Sequence, residues 1–287
     1  MNVLAVGRAP EFSPLHVEAD AAILEAVAAA LRRRGAEVRI VGEAEWPADE
    51  AGAPLPDAVL TMGRRLATCV RLEQMERRGV RVLNAPSGVR HVASRELTLD
   101  LLTAAAVRVP AYWAYDPEDD RMFQTDAELR TLLPAWVKST SGRGCGADDV
   151  AYVATPLEAD AAVMERAAAR VPDLVVTGHV PGDLVKAYVV LSPDGSSVAL
   201  FHWFYPQLEG YSKYGLERHN GPLRLTPFDD DALRRLGLRI ACATGLAVFG
   251  FDAVIGADGQ ATVIDVNDWP SFSPCRAEAA EAIARLV

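Results

Sequence analysis

The sequence predicts an α/β and α+β protein that begins with a doubly wound α/β unit, and three observations support this fold class. Strand and helix patterns alternate over the first 85 residues, which is typical of a parallel sheet. From Leu174 onward the strands follow one another through short turns, which indicates antiparallel hairpins. Half of the 287 residues are apolar, so the chain can bury a large core.

The N-terminal unit is predicted from apolar strands that alternate with helices. The segment NVLAVG forms the first strand, and Gly35 ends the amphipathic helix that follows it. Further strands, AEVRIVG, DAVLTMG and VRVLN, complete a parallel sheet. We therefore place the first domain at residues 1–85.

Two further domains are expected, at residues 86–176 and 177–287. The second begins with one helix from Ser87 to Ala106 and continues with the strand VPAYWAY, a short helix, the strand AWVKST, a glycine-rich loop and the helix PLEADAAVMERAAAR. The third contains the strands LVVTGHV, DLVKAYVVL and SVALFHWFY, then a long polar loop, a helix, a hairpin and a closing helix.

The composition restricts the partners and the location of the protein. A net charge of −10 argues against nucleic acid and anionic membranes, which would need a basic patch, so a small-molecule partner is favoured. No run of 18 apolar residues occurs and the N-terminus is quickly polar, so we expect a cytoplasmic protein. The four cysteines are widely spaced without a CxxC pair and are expected to be reduced thiols, mostly buried.

The last hairpin predicts a metal site. A two-residue type I′ turn centred on Asp258 and Gly259 places Asp252 opposite Asp265. Asn267 projects from the same face as Asp265, because side chains alternate along a strand. Two carboxylates and an amide oxygen suit Mg²⁺, with Mn²⁺ as the alternative, and leave positions for water and phosphate. The competing interpretation is a pair of solvated acids on an outward face.

The chain has three lysines against 26 arginines, which makes each lysine a candidate for an anion contact. Lys138 ends a strand just before a loop that contains Ser141, Gly142 and Gly144. Glycine backbone without side chains can bring N–H groups close to phosphate oxygens, so this loop is a candidate phosphate site. A purely structural glycine-rich loop is the alternative.

The other two lysines lie in the C-terminal part. Lys186 stands in the middle of an apolar strand, where it needs an anionic partner, and the predicted hairpin places Trp203 opposite it. Lys213 shares a long loop with Arg218 and Asn220. That loop resembles a clamp for an anionic group, and a solvated charged loop is equally common.

These residues in this order resemble the ATP-grasp superfamily, from about Asn84 to the C-terminus. The segment LNAPSGVRHVASRELTLDLLTAAAVRVP is similar to the family's first conserved pattern, with Arg95 where a lysine is usual. The resemblance implies that ATP and Mg²⁺ are held between two α+β halves. It also implies that Lys138 precedes the loop that closes over the triphosphate, and that the N-terminal unit is a substrate domain.

The resemblance also implies roles for individual residues. The backbone of Thr177–Val180 would hold adenine, Asp183 ribose, and Lys186 a phosphate. The residues expected to contact the nucleotide are Arg95, Lys138, Ser141, Gly142, Gly144, Thr177, Gly178, His179, Val180, Asp183 and Lys186. The expected metal ligands are Asp252, Asp265 and Asn267, and the expected catalytic residues are Lys186, Lys213, Arg218 and Asn220.

Three functions are consistent with these residues. The first is a ligase that activates a small carboxylate as an acyl phosphate and joins it to an amine, with the Arg218 and Asn220 element resembling the peptide-ligase branch. The second is a kinase for a hydroxyl of an inositol phosphate-like polyol, because an aspartate at position 265 resembles that branch and Arg64, Arg65, Arg90 and Arg218 add positive charge. The third is a nucleotide-binding module without turnover. Related enzymes are often dimers, which leaves a homodimer open.

The acceptor substrate is expected near the carboxyl ends of the first and third strands, where open α/β sheets bind ligands. The candidates there are Arg8, Ser13, His16, Gly63, Arg64 and Arg65. For His16, a position at the start of a helix is an equally good interpretation. Ser271, Ser273 and Arg276 follow the predicted metal site and are further candidates for contact with the acceptor.

Overall fold

Three four-stranded sheets organise the chain in a computed structural model, and each takes its strands from a different stretch of sequence. The structure describes residues 1–13, 15–46, 54–139, 150–169, 174–209 and 219–287. Its mixture of one parallel and two antiparallel sheets with covering helices confirms the predicted α/β and α+β fold class. Within these ranges no helix is long and apolar enough to cross a membrane.

The N-terminal sheet is parallel, as predicted. Its elements are β1 (Asn2–Gly7), α1 (Val17–Arg33), β2 (Glu37–Gly42), β3 (Ala58–Thr61), α2 (Leu66–Arg77) and β4 (Arg81–Leu83). The strand order is β2-β1-β3-β4. The central strands β1 and β3 are buried along most of their length, because helices and the rest of the chain cover both faces of the sheet.

The single helix expected from Ser87 to Ala106 is instead two helices, α3 (Pro86–Ala93) and α4 (Arg95–Ala104). Ser94 separates them with extended backbone, and its side chain caps α4 by accepting a hydrogen bond from the Leu97 N–H at 3.3 Å. The break lets Arg95, the first residue of α4, turn towards the C-terminal sheet. Val89 of α3 and Leu102 of α4 pack into the core of that sheet.

The second sheet is antiparallel and contains one strand that the sequence did not indicate. Its elements are β5 (Tyr112–Ala114), α5 (Ala127–Arg130), β6 (Ala135–Ser139), β7 (Val150–Val153), α6 (Pro156–Ala168) and β8 (Leu174–Gly178). The strand order is β5-β8-β6-β7. The short β7, with the sequence VAYV, is apolar but has only four residues and directly follows two acids, so local pattern did not distinguish it from the glycine-rich loop. Since β8 ends at Gly178, the expected domain boundary after residue 176 falls inside a strand.

The C-terminal sheet is also antiparallel. Its elements are β9 (Asp183–Leu191), β10 (Val198–Phe204), α7 (Asp230–Thr244), β11 (Val248–Ile255), β12 (Ala261–Asp268) and α8 (Arg276–Ile283). The strand order is β10-β9-β11-β12. One face packs on α7 and on the helices α3 and α4, and helix α8 joins a second core with α1 of the N-terminal sheet.

Two details of pairing in this sheet differ from expectation. Phe204, not Trp203, lies opposite Lys186, because a register shift between Val198 and Leu200 moves the pairing by one residue. In the last hairpin, the Gly256 N–H donates to the Gln260 carbonyl at 3.0 Å, so the loop has three residues and not two. Within that loop Gly259 alone has a positive φ, 71°, whereas a type I′ turn needs two.

The N-terminal and C-terminal parts are joined by a buried amide. Asn84 follows β4, and its Nδ2 donates to the Val248 carbonyl at 2.7 Å. Its Oδ1 accepts from the backbone N–H groups of Ala247 and Val248 at 2.9 and 2.8 Å. All the polar atoms of a fully buried side chain are therefore used to hold the start of β11.

Three of the four cysteines belong to the described residues. Cys69, Cys242 and Cys275 are free thiols, as expected, with Cys69 and Cys275 buried and Cys242 exposed. Burial raises the pKa of Cys69 to about 11 and that of Cys275 to about 12, so both remain protonated at neutral pH. Cys145 lies outside the described residues.

Candidate active site

Asp252 and Asp265 lie directly opposite each other on β11 and β12, as the hairpin pattern predicted. They reach this position by two departures from a regular hairpin that cancel. The three-residue loop shifts the pairing by one residue, and a bulge between Asp252 and Ala253 shifts it back. The two carboxylates consequently share one face of the sheet at the distance of a cross-strand pair.

Each carboxylate is paired with a cation from a different element. Lys186 is the neighbour of Asp252 on β9, and its Nζ lies 2.7 Å from Asp252 Oδ2. Arg95 reaches over from the start of α4, and one guanidinium nitrogen lies 2.8 Å from Asp265 Oδ1. Asn267 Nδ2 donates to the other oxygen of Asp265 at 3.0 Å. These cations offset the repulsion that two opposed acids would otherwise have.

The donor atoms of this group fit a hard divalent cation. Asp252, Asp265 and Asn267 offer carboxylate and amide oxygens, the ligands that Mg²⁺ prefers, and no sulfur or imidazole. The described part of the chain contains no group of three or more His, Cys, Asp and Glu side chains that could hold a metal by themselves. Two acids and one amide supply only part of the oxygen ligands that such a cation takes. The remaining coordination positions are left for water or for phosphate oxygens.

A cavity of about 150 Å³ separates the second sheet from the C-terminal sheet, and most predicted site residues line it. Lys138 enters from β6, and Lys186 with Asp252 and Asp265 from the opposite side. The predicted residues on its walls are Arg95, Lys138, Thr177, Gly178, His179, Val180, Lys186, Asn220, Asp252 and Asp265. The structure therefore brings together residues that are up to 170 positions apart in the chain.

Asn267 lines a smaller adjoining cavity of about 50 Å³. Arg95, Lys138 and Asp265 border both cavities, so the two cavities meet at these three charged side chains. Arg64, from the carboxyl end of β3, lines the smaller space as well. Of the predicted metal ligands, Asp252 therefore lines the larger cavity, Asn267 the smaller one, and Asp265 both.

The wall at 177–180 is built from the end of β8. Thr177 is 4% exposed, and within the described structure its hydroxyl has no hydrogen-bond partner although it borders both cavities. The backbone N–H groups of Gly178 and His179 donate to the Ala111 and Pro134 carbonyls at 2.8 and 2.7 Å. A buried hydroxyl at a cavity wall is suited to a polar ligand, because otherwise its desolvation has no compensation.

Asp183 does not line either cavity. It is 2% exposed, and its two oxygens accept from the backbone N–H groups of Arg224 and Thr226, each at 2.7 Å. Burial alone would raise the pKa of Asp183, but these hydrogen bonds outweigh it and lower the pKa. The structure gives Asp183 the task of anchoring the segment at 224–226, and the expected contact with ribose stays a prediction.

Asp268 is a central residue whose role the sequence did not reveal. It is fully buried at the end of β12 and accepts from Arg64 Nε at 2.8 Å and from an Arg8 guanidinium nitrogen at 3.4 Å. Arg8 also pairs with Asp20 at 3.3 Å. Although burial raises it, the pKa of Asp268 is held below its usual value by Arg64 and Arg8. A second acid directly after the acid-x-Asn pattern was the available signal.

The other candidates for contact with the acceptor substrate lie around the junction of the N-terminal and C-terminal parts. Arg65 pairs with Glu11 at 2.8 Å on the surface, and His16 is exposed at the start of α1, which agrees with a helix-start role. Ser271 and Ser273 contact each other at 2.9 Å through their hydroxyls. Arg276 donates to Ser273 at 3.4 Å. The backbone around these serines is bent by positive φ angles of 39° at Trp269 and 50° at Phe272.

Several predicted residues fall outside the described part of the chain. They are Ser141, Gly142 and Gly144 of the glycine-rich loop and Lys213 and Arg218 of the long polar loop. Val150, the first described residue after the glycine-rich loop, and Asn220, the second described residue after Arg218 in the long polar loop, both line the cavity.

Comparison with known proteins identifies the class of fold. No protein-family model matches the chain, and no curated protein matches it. The chain is similar to the crystal structure of a RimK domain protein ATP-grasp from Sphaerobacter thermophilus DSM 20745, with a TM-score of 0.67, 20% identity and coverage of 100% of this chain and 99% of that chain. It is also similar to D-alanyl-alanine synthetase A from Vibrio cholerae O1 biovar eltor str. N16961, with a TM-score of 0.72, 13% identity and coverage of 100% and 97%.

A third similar structure is the D-alanine–D-alanine ligase from Bacillus anthracis complexed with ATP, with a TM-score of 0.68, 13% identity and coverage of 100% and 96%. The chain has the ATP-grasp fold. The similarity extends over the whole chain, so it includes the N-terminal sheet as well as the two antiparallel sheets around the cavity. This confirms the ATP-grasp fold that the resemblance in the sequence implied.

Proposed function

We propose that the protein is an ATP- and Mg²⁺-dependent ligase that activates a small-molecule carboxylate as an acyl phosphate and joins it to an amine. One observation carries this proposal: Lys138 of the second sheet and the row Lys186–Asp252–Asp265 of the C-terminal sheet face one cavity from opposite sides. Such an arrangement combines two cations for phosphate oxygens with two acids for a metal ion.

In this proposal the nucleotide would lie in the cavity with its base against Thr177–Val180 and its phosphates between Lys138 and Lys186, all of which line the cavity. Asp252, Asp265 and Asn267 would hold Mg²⁺, which neutralises phosphate charge in such reactions. Phosphoryl transfer depends mainly on positioning and charge neutralisation, so these residues supply its requirements without a protein nucleophile.

The reaction has two steps. A carboxylate oxygen of the acid attacks the γ-phosphorus of ATP, the bond to the β-phosphate oxygen breaks, and ADP leaves. An amine then attacks the carbonyl carbon of the acyl phosphate, loses a proton, and inorganic phosphate leaves as the amide forms. Lys213, Arg218 and Asn220 are proposed to hold the acyl phosphate, and Asn220 lines the cavity.

The similar structures favour this class of reaction. Two of them are named as enzymes that form D-alanyl-D-alanine, and one of these contains ATP. At 13 to 20% identity they support the class of chemistry and do not indicate the acid or the amine for this chain.

The two alternatives have less support. A kinase for a polyphosphate substrate needs cations available at the acceptor, but Arg65 pairs with Glu11 and Arg90 with Glu73 at 3.1 Å. A module that only binds nucleotide would not need two opposed acids that can place a metal on the phosphates.

The test is an activity assay with a trapping agent. The protein is incubated with ATP, Mg²⁺ and a panel of carboxylic acids, with and without amines or hydroxylamine, and ADP, phosphate and hydroxamate are measured. The proposal expects equal release of ADP and phosphate, and a hydroxamate with the correct acid. ADP with a stable phosphorylated polyol and no free phosphate would show a kinase instead, and nucleotide binding without any ADP release would support a binding module.

A matched pair of variants ties the activity to this cavity. Lys186→Met keeps an apolar stem on β9 but removes the charge, so ADP release should fall at least about a hundredfold. Arg108→Ala removes an exposed cation that pairs with Asp258 in the hairpin loop, and its activity should equal that of the wild type. Activity that survives in Lys186→Met would contradict the proposed site.

A further inference from the structure

Four aromatic rings from four different segments form a cluster at the end of the cavity. Trp136 lies on β6, Tyr152 on β7, His179 just after β8, and His219 at the start of the segment that leads into the C-terminal part. The Tyr152 and His219 rings are stacked, with centroids 3.9 Å apart and an interplanar angle of 21°. The Trp136 ring meets His219 edge-on at 5.6 Å and Tyr152 at 5.1 Å.

The cluster is connected to the cavity through its neighbours in the chain. Trp136 and His179 line the cavity themselves. Asn220, next to His219, and Val150, two residues before Tyr152, line it as well. The Tyr152–His219 stack therefore joins the second sheet to the C-terminal segment at the point where both border the space proposed for ATP.

We propose that the Tyr152–His219 stack is a positioning device that holds Asn220 and the β7 edge of the second sheet against the nucleotide cavity. The inference rests on the proposed function for the identity of the ligand, a magnesium nucleotide, but not for its turnover. Tyr152 and His219 are positioning residues in this inference, since they act through the neighbours that they fix.

A ring stack suits this task because its interaction is strong enough to favour one position of the two segments, and because it requires a defined geometry of the two rings. An aromatic pair contributes more free energy than its buried area accounts for. This additional free energy corresponds to about a fivefold change in an equilibrium constant. A stack between residues 67 positions apart orders both segments, so nucleotide binding would no longer need to supply that ordering.

The hydrogen bond from Trp136 also requires an uncharged His179 ring. Trp136 Nε1 donates to His179 Nδ1 at 3.2 Å, so the proton of the neutral His179 ring is on Nε2. Burial, and then the neighbouring His219, lower the pKa of His179. The Tyr152 ring meets the His179 ring edge-on with centroids 5.6 Å apart, and His219 acts on His179 electrostatically. Protonation of His179 at Nδ1 would remove the Trp136 hydrogen bond.

The experiment measures binding of Mg·ADP by calorimetry in a double-mutant cycle. Tyr152→Leu and His219→Leu should each weaken Mg·ADP binding about fivefold, and the double variant should be no weaker than either single one, because both remove the same stack. Tyr152→Phe keeps the ring and should bind as the wild type does. The control is His202→Leu, a half-buried histidine on β10 that does not line the cavity, with no expected change.

The pH dependence supplies a second readout that a merely structural role would not move. Because the pKa of His179 is lowered, the cluster is intact above about pH 6.5 and wild-type affinity should fall as the pH decreases below that value. In His219→Phe, which keeps a ring but removes the second imidazole, the pKa of His179 is lowered less, so the fall should move to higher pH. Thermal unfolding of each variant verifies that the fold is retained.

Some outcomes would overturn the inference. Unchanged Mg·ADP affinity in both leucine variants would do so, as would effects that multiply in the double variant or equal loss in Tyr152→Phe. If a leucine variant does not fold, the comparison of wild type, Tyr152→Phe and His219→Phe across pH decides the matter, and identical pH profiles count against the stack. Failure of the proposed ligase reaction would be visible separately, as Mg·ADP binding without ADP release from ATP and acids.

Discussion

Lys186 and Asp265 lie on opposite sides of Asp252 in the C-terminal sheet, so that cation, acid and acid form one row across β9, β11 and β12. The Lys186–Asp252 distance of 2.7 Å and the contact of Arg95 with Asp265 at 2.8 Å make the row nearly neutral in the absence of ligand. In the proposed function, a magnesium nucleotide would add both positive and negative charge to this row. The acids and the cations would then exchange partners, with phosphate in place of carboxylate at Lys186 and the metal in place of the lysine at Asp252.

Asp265→Asn should weaken the magnesium dependence of nucleotide binding while the fold is kept. The substitution preserves size and removes one of two acidic oxygen donors at a half-buried position. We expect Mg·ADP affinity to fall at least about tenfold, which corresponds to about 1.4 kcal/mol. The measurement is a calorimetric titration of ADP at several Mg²⁺ concentrations.

The matched control is Asp258→Asn in the loop of the same hairpin, where the carboxylate is exposed and pairs with Arg108. It should leave the magnesium dependence unchanged. Normal magnesium dependence in Asp265→Asn would mean that the opposed acids are not the metal site.

Lys138→Met should abolish ATP turnover without unfolding the protein. Lys138 is 9% exposed and borders both cavities, so its ammonium group can contact phosphate while its stem packs in the second sheet. Methionine keeps most of the stem volume and removes the charge. ADP release should fall at least about a hundredfold with a nearly unchanged melting temperature. ADP release at the wild-type rate would refute the assignment of Lys138 to the nucleotide.

Asp268→Ala should destabilise the protein strongly. Removal of this buried carboxylate leaves the Arg64 and Arg8 guanidiniums with uncompensated charge at the junction of the N-terminal and C-terminal parts. Removing one partner of a buried ion pair costs about 3 kcal/mol or more. Urea unfolding measures this, with Glu281→Gln as the control, because the pairs of Glu281 with Arg33 and Arg34 are exposed to solvent and contribute little to stability.

The lowered pKa of Asp268 also predicts how acid should destabilise the protein. The pKa of Asp268 is lowered in the folded state from an ordinary value of 3.8, so its contribution to stability is complete above that pH. It is lost as the pH falls from 3.8 through the folded pKa. Asp268→Asn should therefore flatten the dependence of the unfolding free energy on pH below about 3.8. An unchanged slope in that variant would show that Asp268 is not ionised in the folded protein.

Local patterns predicted the strands of the N-terminal sheet and the opposed acids, because periods of two and 3.6 residues and turn-forming glycines are properties of neighbouring residues. They failed where a single extra residue matters. The bulge near Ala199 places Phe204 instead of Trp203 opposite Lys186, and the three-residue loop at Gly259 is compensated by the bulge after Asp252. Bulges depend on packing across the sheet, which spacing in the chain does not encode.

The sequence by itself determined the order of the nucleotide-site residues, from Arg95 and Lys138 to Lys186 and Asn267, because that order belongs to the chain. Only the tertiary structure decided which charges meet. Arg95 pairs with Asp265 across 170 positions, and Arg8 and Arg64 converge on Asp268 from the other end of the chain. The ring cluster of Tyr152 and His219 was equally invisible, since two rings stack only after separate segments have been folded against each other. Long-range partners are selected by burial and charge compensation in the assembled fold, and no local pattern carries that information.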